Sequence, residues 1–121
     1  MSGVEQTRLA ELKFAEEHIE PILAGRKTAT IRYEIDSHDA LRIGRTFHLL
    51  DEDGERFASA IVHDRGYTTA EWIVENGVEG HEPYHDLESF YKQMREYYPR
   101  AELGPKTCFE IIYWEWGELW E

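Results

Sequence analysis

One cysteine is too few for a disulfide, so the 121-residue chain is not a disulfide-stapled small domain. Cys108 stands in the apolar run Cys108-Phe109-Glu110-Ile111-Ile112 and is expected as a core thiol. No stretch approaches the ~18 to 20 consecutive apolar residues of a membrane-spanning helix. The start Met-Ser-Gly-Val-Glu-Gln lacks the basic-then-apolar order of a secretory leader, and a cytoplasmic location is expected. Internal repeats, low-complexity tracts and Pro/Gly/Ser linkers are also missing, so residues 1–121 are expected to form one domain.

Lysine is scarce. Four Lys and nine Arg face nineteen Glu and six Asp, giving a net charge of −12. Such a surface repels a nucleic-acid backbone and disfavours long duplex partners. Between Gly25 and Arg45 the balance reverses, because Arg26, Lys27, Arg32, Arg42 and Arg45 outnumber Glu34, Asp36 and Asp39. That distribution suits a locally positive pocket for one anionic or polar small ligand, as opposed to a few solvated arginines. Dense carboxylates with little lysine also fit a salt-loving source.

Periodicity predicts a mixed order of elements. Leu9 to Ala15 alternates as a strand, and a helix over His18–Ala24 should end at Gly25, with Pro21 in its first turn. Thr28–Glu34 reads as a strand whose Ala29, Ile31 and Tyr33 face inward, leaving Thr28, Thr30 and Arg32 on an unexplained polar face. Strands at Thr46–Leu50 and Arg56–His63 flank the hairpin signal Asp53-Gly54. Thr68 and Glu71 form a capping box for a helix that stops at Asn76-Gly77. A further helix covers about Asp86 to Tyr97, and Thr107–Trp116 is a long final strand. The fold class is therefore α+β, with a mixed sheet of about five to six strands curled into a small barrel and helices inserted between strands.

Chemistry concentrates where a helix end and a glycine turn lead into Lys27-Thr28-Ala29-Thr30-Ile31-Arg32. Threonine is a weak nucleophile that needs a neighbouring base, and a lysine kept neutral by burial or by nearby cations is one. Residues three apart on a regular strand face opposite ways, so Lys27 and Thr30 meet only if Lys27 lies on the turn or a bulge intervenes. The plainer reading is ordinary strand threonines beside solvated bases. His81 and His85 have a zinc-like spacing, but Pro83 between them and the lack of a third ligand make them surface histidines. His38, His48 and His63 read as ordinary sheet or loop positions, and Trp114, Trp116 and Trp120 as core-closing aromatics rather than a stacking platform.

Ile22-Leu23-Ala24-Gly25-Arg26-Lys27-Thr28 followed by Thr30-Ile31-Arg32 resembles the signature of ASCH domains, most closely that of bacterial N4-acetylcytidine amidohydrolases. Ser37-His38, Leu41-Arg42-Ile43-Gly44-Arg45, Tyr98-Pro99 and Phe109-Glu110-Ile111 extend the resemblance in patches over residues 12–114. The resemblance implies a PUA-like barrel and hydrolysis of an acylated cytosine nucleoside. Lys27 would be the proton acceptor, Thr30 the nucleophile and a glutamate the proton donor. Glu79, in Glu79-Gly80, best matches that glutamate; Glu82 is second and Glu75 a third candidate. Arg26, Thr28 and Arg32 are the expected substrate-binding residues, and neither a metal nor an organic cofactor is implied. The alternative is a noncatalytic or ribonucleolytic ASCH module that reads single-stranded or modified RNA through Arg26, Arg32, Arg42 and an exposed tryptophan.

Overall fold

A computed structural model describes residues 9–33 and 41–116. The expectations placed on Glu34, Asp36, Ser37, His38, Asp39 and Trp120 lie outside the described residues. In chain order the elements are β1 (Ala10–Lys13), α1 (Glu16–Leu23), β2 (Ala29–Arg32), β3 (Thr46–Leu50), β4 (Arg56–Thr69), α2 (Ala70–Asn76), α3 (Leu87–Tyr97) and β5 (Cys108–Glu115). They build the expected α+β fold, a curled five-stranded sheet in the order β1-β3-β4-β5-β2. β1 runs parallel to β3, and the other neighbouring pairs are antiparallel.

Where β2 pairs with β5 the sheet is buried on both faces, which explains the lost alternation there, whereas β1 keeps one face exposed. Inside the curl, Leu12, Phe14, Phe47, Leu49, Val62, Ile112 and Trp114 form one core. Outside it, α2 and α3 lay Ile73, Phe90 and Met94 over Ala29, Ile31, Phe109 and Ile111 to form the second. Fully burying side chains of this size stabilises the fold by about 1.5–3 kcal/mol each. Trp114, 3% exposed, packs edge-on to Phe14 and Phe47 and is the core residue expected. Cys108, in contrast, is only half-buried at the start of β5, because its side chain falls short of both cores.

β4 is much longer than Arg56–His63. Its pairing with β5 slips between Val62 and Asp64, where His63 is the extra residue of a bulge. One inserted residue reverses the alternation, so Arg65 and Tyr67 share the concave face with Ala58, Ala60 and Val62. Arg65 pairs there with the buried Glu110. The longer strand also moves the cap: Thr69, not Thr68, is the N-cap of α2, and its hydroxyl accepts from Trp72 N at 3.3 Å. Asp86 caps α3 in the same way through Ser89 N at 2.8 Å. Among the described residues no helix is long and apolar enough to cross a membrane.

Candidate functional site

Pro21 lies in the last turn of α1, not the first. Its missing N–H leaves only an exposed turn unpaired, whereas its carbonyl accepts from both Arg26 N (2.9 Å) and Lys27 N (3.1 Å). With Gly25 at φ +82°, this tight reversal puts Lys27 on the turn before β2, the placement under which Lys27 and Thr30 can share one site. Lys27 is 7% exposed, and its Nζ donates to Ala29 O at 3.0 Å.

On β2, Ala29 and Ile31 turn to the helices while Thr30 and Arg32 turn into the curl, opposite Ile112 and Glu110 of β5. The polar face that alternation left unexplained is therefore an interior wall. Thr30 is 5% exposed. Arg32 Nε donates to Thr30 Oγ1 at 3.0 Å, its Nη2 donates to Lys13 O at 2.8 Å, and its guanidinium lies 4.9 Å from the centre of the Phe14 ring. The hydroxyl oxygen thus accepts from a fixed cation, which leaves its own proton to be donated elsewhere.

Lys27, Thr30 and Arg32 line one cavity of about 380 Å³, within the size range of small-molecule sites. Much of the remaining lining comes from α1, the loop after α2, and α3 with the residue after it, as His18, His81, Tyr84, Gln93, Tyr97 and Tyr98. Burial first, and then the Arg32 charge, pulls the Lys27 ammonium from 10.5 down to about 8, while Glu82 opposes the shift. Burial, with Lys27 second, lowers His81 to about 4 and also lowers His18. Both rings have fixed partners: His81 Nδ1 lies 2.9 Å from Glu82 O, and His18 Nε2 lies 3.1 Å from Tyr97 Oη. His81 is thus a half-buried neutral wall residue rather than the surface histidine expected, while His85 is exposed.

The remaining expected site residues fall elsewhere. Arg26 is exposed and ion-paired with Glu20 at 2.5 Å, because the turn that buries Lys27 points its neighbour outward. Thr28 is absent from the cavity wall and instead anchors the loop after α2, its N donating to Gly80 O at 2.8 Å. That contact brings the Glu79-Gly80 backbone to the start of β2. Glu79 itself is exposed and acts on Tyr113, outside the cavity wall. Glu82 is also exposed, but its charge reaches Lys27, His18 and Tyr84. Arg42 is exposed and takes no part in the cavity, so the basic run from Gly25 to Arg45 contributes only Lys27 and Arg32 to it. Pattern reading missed Tyr84, Gln93 and Tyr97 as site residues; for Gln93 and Tyr97 the available signal was their place on α3 beside its apolar positions, and Tyr84, in the loop before α3, carried none. Among the described residues no three His, Cys, Asp or Glu side chains gather as a metal site.

No known family model matches the sequence, and no curated protein matches it. Solved structures do. A protein of Enterococcus faecalis V583 assigned to family DUF984 superposes with a TM-score of 0.67 at 14% identity, covering 94% of this chain and 79% of that one. The ASCH domain of Lactobacillus crispatus JV V101 gives 0.60 at 16% identity, covering 88% and 78%. ASCH from Zymomonas mobilis gives 0.57 at 12% identity, covering 87% of this chain and 65% of its own. At these identities the likeness is one of fold, and the chain accordingly has the PUA-like fold of ASCH-domain structures.

Proposed function

We propose that the cavity is the active site of an amidohydrolase that removes the acetyl group from N4-acetylcytidine, or a related acylated cytosine nucleoside, giving cytidine and acetate. One observation carries the reading: a buried lysine, brought to about 8, shares a small cavity with a threonine whose Oγ accepts from a fixed guanidinium. At neutral pH about a tenth of such a lysine is already the free amine, a base of the strength general-base catalysis uses.

In the proposed sequence Lys27 Nζ takes the Thr30 hydroxyl proton as Oγ attacks the acetyl carbonyl. The C–N bond breaks as a carboxylic acid protonates N4, and cytidine leaves an acetyl-threonine ester. Water then attacks the ester, giving one proton to the carboxylate, while the Lys27 ammonium returns a proton to Oγ and acetic acid departs, losing its own proton to solvent as acetate. Every group ends as it began. Arg32 stabilises the partial negative charge on Oγ as the proton leaves. For the acid, electrostatic reach to Lys27 and Tyr84 supports Glu82 over the expected Glu79, whose neighbour Tyr113 lies outside the cavity wall. None of Glu75, Glu79 and Glu82 is itself part of the wall, so the choice among them rests on that electrostatic reach.

The test is to incubate purified protein with N4-acetylcytidine and quantify cytidine and acetate by chromatography. Equimolar products are expected from the wild type, with losses of at least about 10²-fold in Lys27→Ala and Thr30→Ala. Intact substrate with the wild type, or the same turnover in all three proteins, would sink the reading.

A further inference from the structure

In the cavity that Thr30 lines, two rings and one carboxamide are held in a fixed relation that the hydrolytic steps above do not use. Tyr84 packs edge-on against the fully buried Phe90, ring centres 4.8 Å apart at 87°. His81 packs against Tyr84, ring centres 5.6 Å apart and planes tilted by 30°, and both residues line the cavity. The Tyr84 hydroxyl donates to Gln93 Oε1 at 2.5 Å. Burial keeps this phenol protonated, raising it above its usual value, so it remains a donor. A carboxamide whose oxygen is taken by a phenol must present its NH₂. Among the described residues Gln93 Nε2 has no partner, and Gln93 lines the cavity. The feature is thus an oriented, unused N–H donor beside two packed aromatic rings, in the cavity that Lys27 and Thr30 also line.

We infer that Gln93, held by Tyr84, is a specificity residue that donates a hydrogen bond to the ring carbonyl of a flat 2-oxopyrimidine stacked on His81 and Tyr84. The inference rests on the proposed hydrolysis for its choice of substrate and adds the group that recognises the base. An exocyclic amide on a ring without that carbonyl leaves the Gln93 NH₂ unpaired on binding. Such a missing hydrogen bond is the kind of difference by which sites reject near-isosteres. Simple acetamides lack both the carbonyl and the ring and lose the stacking contact as well.

Binding, not turnover, separates this inference from the hydrolysis reading. In Thr30→Ala protein, calorimetric titration with N4-acetylcytosine and with 4-acetamidopyrimidine compares two rings that differ at the 2-oxo group. About tenfold tighter binding of the oxo compound is expected, the equivalent of one neutral hydrogen bond of about 1.4 kcal/mol. Adding Gln93→Leu should bring the ratio to about one. The near-isosteric Gln93→Glu, which guards against a packing failure of the leucine variant, should do the same or invert it. Tyr84→Phe should shrink the ratio by freeing the amide to rotate. Equal binding of the two rings before Gln93 is changed, no binding of either, or an undiminished ratio in Gln93→Leu and Gln93→Glu would each overturn the inference. Carbonyl-dependent binding in a protein whose wild type leaves N4-acetylcytidine intact would instead uphold Gln93 and overturn the hydrolysis.

Discussion

Lys27→Met should make the protein more stable at neutral pH while abolishing its activity. Holding the folded-state ammonium at about 8 instead of 10.5 means that burial and Arg32 disfavour the charged form by about 3 kcal/mol. Methionine fills much the same volume without the charge, but it forfeits the 3.0 Å bond to Ala29 O, worth about 1 kcal/mol. The expected net gain near pH 7 is therefore about 2 kcal/mol. Because the folded value lies below the unfolded one, the unfolded chain holds more protons between about pH 8 and 10.5, and wild-type stability from this group rises with pH across that window. Between about pH 6.5 and 9.5 the wild type should recover about 2 kcal/mol that the variant never lost, and the advantage of Lys27→Met should shrink to near zero. Urea unfolding of both proteins at the two pH values measures the difference directly. An advantage of the same size at both pH values, or a variant destabilised equally at both, would show that Lys27 is not a strained buried cation, and the base assignment would fall with it.

The same titration should govern catalysis: with an activated phenyl ester, whose leaving group needs no proton from the carboxylic acid, kcat/KM should climb about tenfold per pH unit below about 8 and level off above it, and a profile flat from pH 6 to 9 would count against a lysine base. Glu82→Gln should lower kcat/KM for N4-acetylcytidine by about 10²- to 10⁴-fold and barely change kcat/KM for an activated phenyl ester, since that ratio reports acylation and only the amide leaving group needs a proton there; Glu79→Gln should be nearly silent on both, and the reverse result would restore Glu79 as the acid. Gly80→Ala should cost about 2 kcal/mol or more in urea unfolding, because a Cβ there would lie 2.1 Å from Thr28 Oγ1 with the backbone at φ +81°; a neutral effect would mean that this loop does not dock on β2 as described.

Much of the architecture was legible because its signals are local. Asp53-Gly54 marks the β3–β4 hairpin, Gly25 and Gly77 close α1 and α2, and Asp86 opens α3, each through a backbone preference that neighbours do not override. Alternation in β2 correctly separated Thr30 and Arg32 from Ala29 and Ile31. The second half of β4 was hidden, since one bulged residue at His63 reverses the period of two and leaves Asp64-Arg65-Gly66 reading as a loop.

What the sequence determined by itself is the chemistry of the turn: a glycine reversal, a lysine just before the strand, and a threonine and an arginine on one side of it. Tertiary structure decided the rest. Only the curl of the sheet makes that polar side an interior wall, which turns an ordinary lysine into one brought to about 8. Only the packing of α3 brings Gln93 and Tyr97 into one cavity with Thr30, some sixty residues away along the chain. The glutamate lies beyond any local rule, because docking Gly80 on Thr28 fixes the loop's backbone but not which of its exposed carboxylates faces Lys27. Charge and period are properties of neighbours in sequence, whereas desolvation and the facing of walls belong to the assembled fold.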